Sequence, residues 1–293
     1  MTPSGQAHGH PSVTAGRSGS TSPAVELIGA SLAYDDRTLW SGLDLTVQPG
    51  QFIAVLGPNG SGKTSLLKVL LGLVDLSAGS ARIAGELVQR GNQRLGYISQ
   101  HSGFDWDLPL RGRDLVGLGL DGHRWGVGTA GKRRRARVDA LLAEVGASSY
   151  AKARIGQLSG GEQQRLRVAQ ALATDPDVLL CDEPLVSLDL HHQRSVVDLL
   201  DQRRREHNTA VVFVTHEINP ILAVTDLVLY VIDGTFRLGT PDEVMTTEVL
   251  SELYGSHVEV IRRSGRIIVV GAEDMHRSHH DLAEPRLAGE AFR

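Results

Sequence analysis

A chain of 293 residues, 41% of them apolar and 22% charged, can bury a large core in one or two domains and has the composition of a soluble globular protein. Its net charge of −4 argues against a general nucleic-acid binder, and its one cysteine, Cys181, excludes a disulfide framework and suits a reducing compartment. No apolar stretch approaches the roughly 18 residues that span a bilayer, and the N-terminus lacks the apolar core of a secretory signal. The expectation is a cytoplasmic protein whose membrane role, if it has one, comes through a partner.

Residues 1–24 are rich in Ser, Gly, Thr and Pro, carry Arg17 as their one formal charge, and read as a disordered tail in which His8 and His10 have no set task. Strand-like alternation begins at Val25-Glu26-Leu27-Ile28 and returns cleanly at Leu43-Asp44-Leu45-Thr46-Val47. Tyr34 falls on the connection between them, beside Asp35-Asp36; it reads either as a partly buried loop aromatic or as a stacking surface for a purine. Pro49-Gly50 marks a turn. Phe52-Ile53-Ala54-Val55-Leu56 then reads as a buried strand, and Ser65 to Leu71 as a largely buried helix.

Between these two lies Gly57-Pro58-Asn59-Gly60-Ser61-Gly62-Lys63-Thr64, which fits G-x-x-x-x-G-K-[ST] in the strand–turn–helix setting that the motif requires. Glycines let backbone N–H groups close around phosphate oxygens, and the helix N-terminus adds positive potential. Lys63 is placed to reach the β- and γ-phosphates, and the Thr64 hydroxyl to ligate Mg²⁺.

Arg82-Ile83 and Glu86-Leu87-Val88 flank a glycine turn, and Leu95 to Ser99 forms a further strand ending at Gln100. The stretch from His101 to Pro109 is too polar and broken for core. Residues 111–157 read as mainly helical, with an apolar stripe from Val138 to Val145 preceded by Lys132-Arg133-Arg134-Arg135. That basic run reads first as a solvated loop or helix start, and second as a docking patch for a membrane partner or anionic lipid. Leu158-Ser159-Gly160-Gly161-Glu162 opens another helix. Ser159 and Glu162 have capping-box spacing, and the glycine pair at a capped helix start makes an anion-binding end.

Val178-Leu179-Leu180-Cys181 suits a central parallel strand. It ends in Asp182-Glu183, two carboxylates that are costly at a buried strand end unless a cation or catalysis uses them. Asp182 reads as a Mg²⁺ holder, through water, and Glu183 as the group that polarises an attacking water. Val211 to Thr215 is another buried strand, with His216 at the edge where α/β ligands collect. Leu227–Ile232 and Thr235–Leu238 read as a hairpin around Asp233-Gly234. His257–Ile261 and Arg266–Val270 form a second around Ser264-Gly265, and the polar end, with His276, His279 and His280, reads as frayed.

Taken together these motifs resemble the ATP-binding subunit of an ABC transporter over about residues 25–245. The Walker A motif is Gly57 to Thr64, the Q-loop glutamine Gln100, the signature Leu158 to Glu162 continuing Gln163-Gln164-Arg165, the Walker B strand Val178 to Asp182 followed by Glu183, the D-loop Ser187-Leu188-Asp189 and the switch histidine His216; Tyr34 matches the A-loop aromatic. The resemblance implies an α/β fold with a RecA-like core, an antiparallel β subdomain and a helical subdomain over roughly 101–170, followed by a C-terminal extension over 246–293.

It also implies a head-to-tail dimer in which each ATP lies between Walker A, including Ser65, of one copy and Ser159-Gly160-Gly161-Glu162 and Asp189 of the other. Gln100 joins Thr64 and Asp182 at Mg²⁺, and with His216 senses the γ-phosphate. The stretch from Ser99 to Pro109 is similar to that of manganese and zinc uptake ATPases, which work with a separate membrane permease and an extracytoplasmic metal-binding protein. His101, Asp105 and Asp107 have the composition of metal ligands, but the corresponding segment of that group faces the permease. Two alternatives stay open: another cargo, such as an iron chelate, and a non-transport ATPase on nucleic acid or ribosomes, which a single P-loop and the lack of sustained heptads disfavour.

Overall fold

Each strand written as an unbroken apolar run lies between two apolar layers in the computed structural model of the protein, which describes residues 22–34, 37–100, 109–122 and 131–271. In chain order the elements are β1 (Val25–Tyr34), β2 (Arg37–Val47), β3 (Phe52–Leu56), α1 (Lys63–Leu70), β4 (Ala78–Ile83), β5 (Glu86–Leu87), β6 (Leu95–Ile98), α2 (Gly112–Asp121), α3 (Lys132–Glu144), α4 (Gly160–Ala171), β7 (Val178–Asp182), α5 (Leu190–His207), β8 (Ala210–Val214), β9 (Leu227–Ile232), β10 (Thr235–Gly239), α6 (Pro241–Val244), α7 (Thr247–Tyr254), β11 (Glu259–Arg263) and β12 (Arg266–Val270).

One sheet has the order β10-β9-β3-β8-β7-β6; its strands are parallel except β10, which pairs antiparallel with β9 at the edge. Alternate side chains of the same strands supply two different cores. Phe52, Ala54, Leu56, Leu179, Cys181, Val211 and Phe213 face one core with α2 to α5, and Phe52 stacks on Phe213 with ring centres 5.5 Å apart. Ile53, Val55, Leu180, Val212, Val214 and Leu229 face the other, with α1 and the second sheet. Covering both faces is what makes these strands apolar without alternation. The second sheet, β2-β1-β4-β5, is antiparallel and alternates, since its outer face meets water.

The α/β architecture, with a parallel core sheet, an antiparallel β unit and a group of helices, is the one expected. Lys132 to Arg135 is the first turn of α3; Arg134 forks onto Asp121 at 2.6 and 3.0 Å, and Lys132, Arg133 and Arg135 are exposed, as a solvated helix start should be. Several local readings need correction. β1 runs through Tyr34, which pairs with Arg37, so Tyr34 ends a strand and does not sit in a loop. β2 starts at Arg37 and not Leu43, because register shifts in its pairing with β1 break the alternation near Trp40. β11 starts at Glu259 and not His257. The helices α5, α6 and α7 are additions to the sequence reading. Most of the N-terminal tail, Asp35-Asp36, the stretch from His101 to Leu108, and the end with His276, His279 and His280 lie outside the described residues.

α5 adds a polar tie between the helices and the core. Arg203, 3% exposed, bonds Asp175 and reaches Glu144 of α3 at 3.5 Å. Arg203→Ala removes the cation shared by two carboxylates. Because Asp175 and Glu144 both reach solvent, the loss is smaller than for a fully buried pair, about 2 kcal/mol. Urea unfolding should show it as a lowered midpoint at unchanged slope; an unchanged midpoint would mean that the pairing contributes nothing net.

Candidate functional site

The P-loop takes its shape from its glycines. Gly57 has φ 142°, and a side chain there would run into the carbonyl of Val231 on the neighbouring strand β9; Gly62, at φ 99°, is the N-cap of α1 and lies against the indole of Trp40. The loop therefore needs glycine both for its backbone angles and for the close approach of other chain segments. Lys63, 5% exposed, donates from Nζ to the Gly57 and Pro58 carbonyls at 2.7 and 2.8 Å. Burial lowers its proton affinity, while Glu183 and Asp182 act in the opposite direction. Ser61 Oγ is buried with no hydrogen-bond partner. An ammonium bonded to neutral oxygens, an orphaned hydroxyl and a helix N-terminus together fit a phosphate group.

At the end of β7, Asp182 is 4% exposed. Its Oδ1 accepts from Thr64 Oγ1 at 3.2 Å, and its Oδ2 from Tyr97 OH at 3.4 Å. Burial raises the Asp182 pKa, and burial first and then Asp182 push the Tyr97 phenol up to about 12, so Tyr97 stays a donor. The Thr64 hydroxyl beside a carboxylate is a hard-oxygen pair that fits Mg²⁺. Among the described residues no group of three or more His, Cys, Asp or Glu could hold a metal ion.

Glu183 adopts φ +45°, a left-handed conformation that takes its carboxylate out of the strand line. Its Oε2 accepts from Gln100 Nε2 at 3.2 Å and lies 3.3 Å from His216 Nδ1. Three residues from different strand ends thus meet at one oxygen, above the parallel sheet, where α/β folds collect ligands.

These groups line an open cleft of about 1240 Å³ with Tyr34, Pro58, Asn59, Gly60, Gly62, Lys63, Thr64, Ser65, Gln100, Glu183 and His216 among its walls. Gly57, Ser61 and Asp182 are not among its walls, although Asp182 bonds Thr64, which is. Tyr34, 43% exposed, stands at the cleft edge. The cleft does not include Ser159, Gly160, Gly161, Glu162 or Asp189. Ser159 caps α4 and forms the expected box: Glu162 N donates to Ser159 Oγ at 3.3 Å, and Glu162 Oε2 accepts from Ser159 N and Oγ at 2.8 and 2.9 Å. Asp189 caps α5 and accepts from His192 N at 2.9 Å, which with the His192 ring holds its carboxyl below the usual range.

The sequence reading passed over Tyr97, Tyr254 and His192. Tyr97 lies three residues before Gln100 on β6, and the outward side of that strand was its one available signal. Tyr254 lines the cleft and bonds Tyr230 OH at 2.7 Å across a separation of 24 residues, for which no local pattern exists.

Asp182→Asn separates stability from function. Burial disfavours the charge on Asp182, so the neutral isostere should raise, and not lower, the melting temperature of the nucleotide-free chain. Hydrolysis should fall, since the hard-cation pair is broken. A lowered melting temperature in calorimetry would count against desolvation as the dominant influence on Asp182.

A strand, a phosphate loop with its buried lysine, and paired carboxylates at the end of β7, the next strand but one in the parallel sheet, define a P-loop nucleoside triphosphatase. The ABC transporter family model matches residues 40–186, half of the chain. The chain is 33% identical to the manganese transport system ATP-binding protein MntB of Bacillus subtilis over 81% of its own length and 95% of that protein. It is 32% identical to the zinc transport system ATP-binding protein TroB of Treponema pallidum, over 81% of this chain and 89% of that one, and 31% identical to the zinc import ATP-binding protein ZnuC of Halorhodospira halophila, over 94% and 96%. A solved chain from a transporter described as metal-chelate type, in an inward-facing conformation, superposes with a TM-score of 0.72 at 25% identity, covering 84% of this chain and 96% of that one. The chain belongs to the ABC transporter family of ATP-binding proteins and is an ATPase of that family.

Proposed function

We propose that this ATPase powers uptake of manganese or zinc through a separate membrane permease, fed by an extracytoplasmic metal-binding protein. The observation that carries the cargo assignment is similarity over nearly the whole length of proteins named for manganese and zinc transport. No helix among the described residues is long and apolar enough to cross a membrane; in this reading the path for the metal lies in the partner permease. The 25% identity to the metal-chelate-type transporter keeps an iron chelate as the second reading. Deleting the gene and following Mn²⁺, Zn²⁺ and iron-chelate accumulation separates the two. Loss of iron-chelate uptake alone would reverse the order.

In this reading Tyr34 stacks on the purine. The P-loop from Gly57 to Thr64, with Ser65, binds the phosphates, and Lys63 neutralises charge on the β/γ pair. Thr64 and Asp182, with Gln100 nearby, hold Mg²⁺, which when bound supplies charge neutralisation at the γ-phosphate. Glu183 takes the proton of the attacking water or orients it, and Gln100 and His216, already on its oxygen, report the γ-phosphate. Ser159, Gly160, Gly161, Glu162 and Asp189 act on the ATP of a second copy in a head-to-tail dimer. Their absence from their own chain's cleft supports that assignment, as does the exposed N-terminal end of α4.

A further inference from the structure

The first turn of α5 joins two motifs that are far apart in sequence. His192 Nδ1 lies 2.7 Å from Asp189 Oδ2, while the His192 backbone N–H donates to Asp189 Oδ1, so one residue engages both oxygens of the D-loop carboxylate. The other side of the same imidazole lies against Gly161, where even a methyl group would overlap the ring. The flanking contacts point the same way. Leu188 of the D-loop faces Gly160, with a Cβ there meeting Leu188 Cδ2 at 3.6 Å. Gln193 Nε2 donates to the Leu188 carbonyl at 3.1 Å, and Arg165 of α4 bonds Ser195 of α5.

We infer that His192 is a positioning residue: it wedges the D-loop and the signature glycines into one rigid body, so that Asp189 and Gly160-Gly161 meet the second copy's ATP in fixed register. This rests on the shared-site reading above. The ring is well suited to the task. It is flat enough to pack on a glycine backbone and offers a nitrogen to the carboxylate, and a side chain whose two ends are both held has little rotamer freedom left to lose on dimerisation. It also assigns Gly161 a reason within its own chain, since the space of its missing side chain is filled by His192. Gly160, with space around its Cα, carries no such internal constraint.

The test uses the full chain in a Glu183→Gln background, in which bound ATP is not turned over. Sedimentation with Mg-ATP reads dimerisation, a fluorescent ATP analogue reads nucleotide affinity of the monomer, and calorimetry reads stability. His192→Ala should weaken ATP-dependent dimerisation by about 10-fold or more, with monomer ATP affinity unchanged because His192 is outside the cleft. Gly161→Ala should be worse than His192→Ala, and the double variant should return to the His192→Ala level, because removing the ring frees the space that the new methyl needs. If Glu183→Gln dimerises and adding His192→Ala leaves dimerisation unchanged at equal stability, the positioning role is wrong. If Glu183→Gln itself fails to dimerise, the shared-site reading fails instead. Should His192→Ala not fold, Gly161→Ala alone decides: dimerisation and stability equal to those of Glu183→Gln would overturn the wedge, because the new methyl must displace the ring.

Discussion

Lys63→Ala should abolish ATP hydrolysis and strongly weaken nucleotide binding while leaving a folded chain. Lys63 is buried, and its Nζ rests on two main-chain carbonyls at 2.7 and 2.8 Å. Burial opposes its charge, and the carboxylates that favour the charge are bonded elsewhere, Asp182 to Thr64 and Tyr97 and Glu183 to Gln100 and His216. A cation held in this way gains most when an anion enters the loop. Removing it takes away a charge-assisted contact to the β/γ-phosphates in a site with restricted water, an effect of about 10³-fold in kcat/KM. The fold should tolerate the change, because the desolvation cost of the ammonium disappears together with its two hydrogen bonds. Steady-state hydrolysis and calorimetric ATP titration check it, and near-wild-type turnover would remove the phosphate-loop assignment. Lys63→Arg should not rescue, since a planar fork cannot reproduce a point charge between Gly57 and Pro58.

The strands of the parallel sheet were legible because both of their faces are covered, which writes them as apolar runs. The start of α4 was legible because a capping box spans four residues, and the phosphate loop because every group that it uses lies within eight. α5 was not. Its buried residues, Val196, Val197, Leu199, Leu200 and Arg203, include a charged member, and its last turns are Asp-Gln-Arg-Arg-Arg-Glu-His, so the apolar stripe fades where the helix turns to water. Reading Asp189 as the D-loop acid also hid its use as the N-cap of that helix. The contacts that complete the site have no local signature at all: Tyr97 reaches Asp182 across 85 residues, His216 reaches Glu183 across 33, and His192 meets Gly161 only because α4 and α5 pack side by side. The chemistry of single motifs is local, whereas their assembly depends on sheet order.

Glu183→Gln should turn the ATPase into an ATP-held dimer. The substitution keeps the size of the side chain and its capacity to bond Gln100 and His216, but removes the basic oxygen on which both converge. Loss of a positioned general base lowers hydrolysis by about 10²-fold or more. Binding should survive, because Lys63, Thr64 and the loop amides are untouched, and the loss of one negative charge near the γ-phosphate favours retention. Unhydrolysed Mg-ATP should then hold two chains together, read as a shift from monomer to dimer in light scattering. Adding Gly160→Asp should undo the shift. Gly160 has room for a side chain in its own chain, where a Cβ would meet Leu188 Cδ2 at an ordinary 3.6 Å, so the new carboxylate does not act by disrupting its own helix start. It acts on what lies across the interface: a carboxylate at the end of α4 would face the γ-phosphate supplied by the other chain, and like charges in a partly dehydrated interface repel strongly. If Glu183→Gln stays monomeric at saturating ATP and high protein concentration, an autonomous shared site is unsupported and dimerisation must come through the permease. If it hydrolyses ATP at the wild-type rate, Glu183 is not the base. If Gly160→Asp leaves the dimer intact, the N-terminal end of α4 does not face the partner's phosphate.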